Sequence, residues 1–382
     1  MFLYISTSTS YKIYNDLFSK DLIAGGYQSQ KFNSNIITGL SNYANIVSLS
    51  ALPYIKVDNE RIELVDKNVK YICIKNSSGV LHKINNVKEL IKEGKKIIKN
   101  QKPEFIICDA FSFSPAIAAL HLSRKYKIPA VAIVTDLHEA SCNGNISTLG
   151  KIHAKLMKKF DLYVLLTKQM NDIINPGNKP FVVMEGSCNV EDDFSSDNID
   201  DEKALVCLYG GALWKDNAGL EYFIDGFIKA AIPNSELHFY GSGELIPYIE
   251  RLSEKYPQIK YKGIVTNNEL LSKQREASLL INPRPSSCEF CKYSFPSKTF
   301  EYMISGTPVL MTKLPGIPDE YFDCVYTIDV ENSDFVSEKL TEIFSLTKEE
   351  RLRKATLAKD FILTKKNNIV QSKIIYDFLS NN

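Results

Sequence analysis

The stretch Ala277–Glu320, ASLLINPRPSSCEFCKYSFPSKTFEYMISGTPVLMTKLPGIPDE, is the one that most narrows the choice of fold. It opens with a short apolar run, Ala277 to Ile281, which stops at Asn282-Pro283 and reads as a buried strand. After a polar loop, Ser294-Phe295-Pro296-Ser297 leads into helix formers as far as Ile304, and Gly306 stands where a left-handed cap belongs. A second apolar run, Pro308 to Met311, follows. Strand, loop, helix, strand is a crossover unit of an α/β sheet, and open sheets of that kind bind ligands beyond the carboxyl ends of their strands.

The residue types of this loop suit an anion. Pro296 fits the first turn of a helix and the Ser294 or Ser297 hydroxyl can cap it, so unpaired backbone N–H groups would face a phosphate. Lys298 adds a point charge, Arg284 a planar fork, and Glu301 stands one turn further along on the face of Ser297. A carboxylate beside a phosphate is unfavourable unless it accepts from neutral donors, and a ribose diol supplies two. Together these residues suggest a nucleoside diphosphate. The other reading of the same residues is a solvated helix start with Lys298 and Glu301 on its surface.

Asn282-Pro283-Arg284, the run Ser294 to Met303 and Gly306-Thr307-Pro308-Val309-Leu310 resemble the donor-site signature of the family 4 retaining glycosyltransferases, in a bacterial branch that builds surface polysaccharides. The resemblance implies the GT-B fold, α/β with two Rossmann-like domains facing across a cleft, and it favours the nucleotide reading. One departure matters. The family commonly carries two glutamates eight residues apart, the first reaching the donor sugar and the second the ribose; Glu301 matches the second, but Tyr293 stands at the first. The nearest upstream carboxylate is Glu289. Either the loop swings Glu289 into the sugar subsite or the sugar is held differently.

At 382 residues the chain is too long for one ordinary core and suits two domains. Its net charge of +1 hides an asymmetry, because residues 1–190 carry 24 Lys+Arg against 15 Asp+Glu, leaving 22 against 30 for the remainder. A basic front half is suited to an anionic partner. Met1 to Ser6 lacks the basic flank and cleavage site of a secretory leader, and no segment approaches the roughly 18 apolar residues of a spanning helix. The eight cysteines are scattered, several within apolar runs, as reduced core residues of a cytoplasmic protein would be. Cys288-Glu-Phe-Cys291 has no second pair and no nearby histidine, so neither zinc nor redox chemistry is expected of it.

In the front domain, residues 1–190, Met1 to Ser6 reads as the first strand and Gly25-Gly26-Tyr27-Gln28 as a loop into a helix. By the resemblance, Gly25 and Gly26 lie beneath the donor phosphates and near the acceptor. Strands are expected at 45–49, 69–74 and 104–109, with an amphipathic helix over 86–100 and another helix over 115–126. Ala130 to Thr135 is a further strand and ends in Asp136-Leu137-His138-Glu139, which sets an imidazole at the sheet's carboxyl edge. His138 resembles the family's cleft histidine, which touches the donor sugar's hydroxyls, and Asp136 is a candidate to orient it. The other four histidines are expected to be structural or on the surface. In 149–160, Leu149, Ile152, Leu156 and Phe160 alternate with Lys151, Lys155, Lys158 and Lys159. Such a helix can lie on an anionic membrane surface, or it can turn an apolar stripe to the core and a solvated basic face outward.

An acidic linker, 191–202, separates a nucleotide-sugar-binding domain, 203–365, and a final helix, 366–382, is expected to cross back to the front domain. A strand from Ala204 to Tyr209 leads into Gly210-Gly211, a turn that could approach a pyrophosphate. Many family members have an arginine after this glycine and a lysine a few residues on. Here Ala212 stands in the arginine's place and Lys215 is imperfectly matched, so phosphate neutralisation is assigned to Lys298 and Arg284 first and Lys215 second. Tyr261 to Val265 resembles the segment whose backbone frames the nucleobase.

The function expected is retaining hexosyl transfer from a nucleotide diphosphate sugar, UDP-sugar favoured, to a hydroxyl of a growing lipid-linked bacterial glycan. No Asp-x-Asp ends an apolar strand, so a metal is not expected, nor any other cofactor, and no nucleic acid. The expected location is cytoplasmic, peripheral on the inner face of the cell membrane. Two rivals are a nucleotide-sugar epimerase of the same architecture, which would draw on Asp136, His138 and Glu289, and a non-catalytic partner subunit, for which Tyr293 and Ala212 speak.

Overall fold

Short, continuously apolar strands separated by amphipathic helices can be satisfied only by parallel sheets covered on both faces. That is the architecture of each half of the chain. The computed structural model describes residues 1–23, 28–52, 60–75, 82–140, 146–189, 204–215 and 219–382. Two units emerge, Met1–Asn189 with Lys366–Asn382, and Val190–Lys365. The expected linker 191–202 and the pair Gly25 and Gly26 lie outside the described residues.

The first unit contains β1 (Phe2–Ser6), β2 (Ile46–Ser50), β3 (Ile62–Asp66), β4 (Val69–Cys73), β5 (Phe105–Asp109), β6 (Ala130–Val134), β7 (Leu162–Leu165) and β8 (Phe181–Val183). Among the described residues they form one sheet in the order β3-β4-β2-β1-β5-β6-β7-β8. All neighbours are parallel except β3, which runs antiparallel to β4. Every residue of β1 and β6 is buried. The chain first builds outward from β1 to β2 and β4, then returns to β5 on the other side, so the order reverses between β1 and β5. Residues 62–66, which lie between the strands expected at 45–49 and 69–74, form an edge strand in the structure. Ile62 and Leu64 are only half-buried and Glu63, Val65 and Asp66 are exposed, which is too little apolar signal to stand out.

The helix Asn368–Ser380 belongs to this first unit and packs on the helix Gln28–Leu40. Asn367 caps it by accepting from the Val370 N–H at 2.9 Å. Gly39 makes the contact possible, because a Cβ there would stand 2.2 Å from the Asn368 carbonyl oxygen.

The second unit contains β9 (Leu205–Gly210), β10 (Ser235–Tyr240), β11 (Ile259–Tyr261), β12 (Leu279–Asn282), β13 (Val309–Thr312) and β14 (Tyr326–Ile328). They pair in the order β11-β10-β9-β12-β13-β14, each parallel to its neighbours. Phe223, Ile224, Phe239, Ile249 and Val336 lie in its core, and burial of each such side chain contributes roughly 1.5–3 kcal/mol. The chain runs from β9 out to β11 and then back across to β12, so here the order reverses between β9 and β12. The expected crossover unit is present as β12, the helix Ser297–Ile304 and β13. Among the described residues no helix is long and apolar enough to cross a membrane.

Candidate functional site

In the second unit the carboxyl ends of β9 and β12 open side by side at the point of reversal, where doubly wound sheets form their ligand crevice. From β9 the chain passes through Gly210-Gly211, and from β12 through Asn282-Pro283 to Arg284. The helix Ser297–Ile304 starts above this edge. Its Tyr302, fully buried, anchors it, since the Gly210 N–H donates to the Tyr302 hydroxyl at 3.0 Å. Phe295 and Phe300, with centroids 5.0 Å apart, fix its start against Tyr321 and, through Tyr321, Phe361.

Lys298 lies one turn before Tyr302 and points the same way. Its ammonium sits 4.0 Å from the centroid of the Tyr209 ring, a cation–π contact. It also fills the space a side chain at position 211 would need, because a Cβ on Gly211 would stand 2.1 Å from Lys298 Nζ. Gly211 has φ +147, so its glycine is required twice, by backbone conformation and by the lysine. Burial, and after it the Arg284 charge, lower the Lys298 pKa to about 7, against the opposing pull of Glu301. The four residues Gly211, Arg284, Lys298 and Glu301 are thus brought into one electrostatic neighbourhood. Arg284 is held in turn over the Phe290 ring, 5.1 Å from its centroid.

Other candidates of this unit stand apart from that neighbourhood. Glu289 opens a single 3₁₀ turn, Glu289–Lys292, with its side chain 73% exposed and 3.4 Å from Lys292 Nζ. Lys215 is exposed and 4.0 Å from Glu221. Val265 is half-buried in the loop between β11 and the helix Asn267–Glu276. Ser297 is exposed in the first turn of its helix. The expected capping differs in detail, because Pro296 is itself the N-cap and no side chain caps the helix. Proline fixes φ before the first turn and so sets the entry angle without a hydroxyl. Among the described residues no group of three or more His, Cys, Asp and Glu could hold a metal ion.

In the first unit His138 follows β6 in a short 3₁₀ turn, His138–Ala140. Its Nε2 lies 2.9 Å from Nδ1 of His153, and its ring stacks on Phe111 at 4.8 Å. His153, expected to be structural or on the surface, is therefore the partner that sequence reading missed. Asp136, the residue expected to orient His138, accepts from the Leu137 N–H at 2.8 Å. Burial, then His138 and Lys83, lower the His153 pKa to about 4, so it is neutral at pH 7 and one proton serves the histidine contact. The signal available was its setting, Ile152-His153-Ala154-Lys155, in which the histidine falls on the side of Met157.

Asp109 was also missed. It ends β5 beside the β1–β5 reversal, and its carboxylate accepts from Ser112 Oγ at 2.7 Å and Thr7 Oγ1 at 3.5 Å. Burial raises its pKa. The lysine-rich helix spans Thr148–Met157 and buries Gly150, His153, Ala154 and Met157. Leu149 and Ile152, for which both a membrane surface and the core were open, are 48% and 55% exposed beside Lys151 and Lys155.

Residues 204–345 match the family described as Glycosyl transferases group 1. A sequence search of curated proteins gave no match. By structure, the chain is similar to a sucrose-phosphate synthase from Thermosynechococcus elongatus, with TM-score 0.67 at 10% identity over 100% of this chain and 98% of that one. It is similar to an E. coli trehalose-6-phosphate structure bound with UDP-2-fluoro glucose, with TM-score 0.70 at 9% identity over 100% and 99%. Anabaena HepE in complex with UDP and glucose gives TM-score 0.61 at 11% identity over 100% and 99%. The chain therefore has the α/β GT-B fold of two Rossmann-like domains, and its second unit carries a glycosyl transferases group 1 domain.

Proposed function

We propose that the protein is a retaining glycosyltransferase that moves a hexose from a nucleoside diphosphate sugar to a hydroxyl of a growing, lipid-linked bacterial glycan. The observation that carries the reading is Lys298, a half-buried cation at the β9–β12 reversal with Arg284 and Glu301 beside it. UDP is the favoured nucleotide, because two of the similar structures hold UDP or a UDP-sugar. Breaking the anomeric bond places negative charge on the departing diphosphate, which Lys298 and Arg284 stabilise as it forms. Glu301 accepts from the ribose diol. Protein cations then supply the charge that a metal would otherwise bring, so activity resists EDTA. The exposed Leu149 and Ile152 among lysines 151 and 155 favour an anionic membrane surface as the place where the lipid-linked acceptor is met.

Thermal unfolding with UDP, GDP, ADP and CMP in turn, with EDTA and then Mg²⁺, tests the site. A nucleotide at about a hundred times its Kd stabilises by roughly 2.7 kcal/mol, a shift of several degrees. The expected result is a shift with UDP that EDTA leaves unchanged and Glu301→Ala abolishes. No shift with any diphosphate would move the reading to a non-catalytic subunit, the alternative favoured by the exposure of Glu289.

A pH dependence follows from Lys298. A bound diphosphate favours the charged amine, so binding takes up a proton above pH 7 and affinity falls by up to ~10-fold per pH unit as pH rises past 7. In the free protein the sign is the reverse. The ordinary pKa of 10.5 lies above the folded value of about 7, so between them the unfolded chain holds the extra proton and this group makes stability rise with pH. Calorimetric UDP titrations in buffers of different ionisation enthalpy read the proton uptake directly, and zero uptake at pH 8.5 would contradict the assignment.

A further inference from the structure

The pair Cys288 and Cys291, given no role by its sequence setting, has a geometry that changes its reading. Cys288 precedes the 3₁₀ turn Glu289–Lys292 with φ −69 and ψ 119, and the Cys291 N–H donates to the Cys288 carbonyl at 2.8 Å. A turn closed by that bond holds its first and fourth Cα atoms within about 7 Å, and a disulfide spans Cα separations of about 4.4–6.8 Å. The backbone is therefore already folded for a bond between the two sulfurs. Cys288 is half-buried between exposed Ser287 and Glu289, whereas Cys291 is fully buried behind it. One thiol faces reagents and the other waits within reach. Cys73, Cys108 and Cys207, by contrast, are buried on strands, and burial raises their pKa values.

We propose that Cys288 and Cys291 form a redox-active dithiol that closes to an intramolecular disulfide by exchange with small disulfides of the glutathione class, and that closure loosens the seat of Arg284. The Cys288 thiolate attacks one sulfur of the small disulfide, forming a mixed disulfide and expelling one thiolate. The Cys291 thiolate then attacks the Cys288 sulfur, closes the protein disulfide and expels the second thiolate. The two protons lost by the cysteines pass to the expelled thiolates, and two electrons reduce the small disulfide. Reduced thiols reverse the sequence.

The link to Arg284 runs through the same turn. The Cys291 thiol donates to the Pro285 carbonyl at 3.2 Å, and Phe290, between the two cysteines, carries the ring against the Arg284 guanidinium. Closing the disulfide removes the thiol hydrogen from Pro285 and turns the Cys291 side chain toward Cys288, which frees the turn that carries Phe290 from its tie to Pro285. The consequence for nucleotide rests on the donor site proposed above.

The test incubates the reduced full-length protein with oxidised glutathione, blocks free thiols and maps the cysteine peptides by mass. Expected are loss of both alkylation sites in the peptide holding 288 and 291, their return with dithiothreitol, and a stable glutathionyl group on Cys288 in Cys291→Ser. Alkylation of both cysteines after oxidation, or a Cys291→Ser protein that takes no glutathione at 288, overturns the dithiol. Should Cys291→Ser fold poorly, Cys288→Ser decides, because it must leave Cys291 unmodified. For the coupling, oxidation is expected to reduce the UDP-induced thermal shift about twofold or more, reversibly, with no such change in Cys288→Ser. An unchanged shift in oxidised protein overturns the coupling alone. A reduced protein that shows no UDP shift refutes the donor site and the coupling with it, while the thiol map still judges the dithiol.

Discussion

Lys298→Ala is expected to lower turnover about 10²–10³-fold, the usual effect of removing one preorganised donor from developing charge. The amine is held by the Tyr209 face and by the room left at Gly211, so its position is fixed before any ligand arrives. Little reorganisation is then needed as charge moves onto the diphosphate. The free variant should unfold at the same temperature or slightly higher, because the lost group is a cation whose pKa burial has already lowered to about 7. Lys298→Arg should not rescue, since a planar fork needs more space than the Gly211 contact leaves. Steady-state kinetics with UDP-sugar, beside a thermal scan of each variant, separate lost chemistry from lost fold. Turnover within about threefold of the parent would mean that the leaving group is stabilised elsewhere.

The second large effect concerns stability. Gly39→Val is expected to destabilise the first unit by roughly 3 kcal/mol, the upper end of overpacking. In an exposed helix the loss of a glycine would help, by up to about 1 kcal/mol for alanine. At position 39 the new Cβ meets the Asn368 carbonyl and Ser372 Oγ, each at 2.2 Å, and a backbone oxygen cannot rotate away. Relief must come from moving the whole helix Asn368–Ser380, which gives up the burial of Ile375 and Leu379. Thermal unfolding together with limited proteolysis of the C-terminal segment reads this, and a Gly39→Ala protein more stable than its parent would contradict it.

How much of this could be read from the sequence depended on locality. The crossover of β12, helix Ser297–Ile304 and β13 was legible because strand, helix start and Gly306 sit within one short stretch. Arg284, Lys298 and Glu301 could be grouped for the same reason, since two of them share a helix face. The approach of Gly211 to Lys298 spans the gap between two strands adjacent in the sheet but distant in the chain, so spacing gave the glycine but not its neighbour. The pairing of His138 with His153 was hidden likewise, because it depends on which face of the helix Thr148–Met157 turns inward. The lysine spacing there left open whether Leu149 and Ile152 face the core or a membrane, and the packing of the smaller Gly150 and Ala154 fills the inward face. Asp109 looked like the end of a strand and nothing more, because its partners Thr7 and Ser112 come from other elements.

A calorimetric titration of UDP in EDTA at pH 7 into the parent protein and into Lys298→Ala tests the donor site itself. One site per chain is expected in the parent, with an affinity lower by about 10–100-fold in the variant, the worth of a hydrogen bond to a charged group. Equal affinity in the two proteins, or no binding of UDP to the parent, would contradict the seating of a nucleoside diphosphate on Lys298.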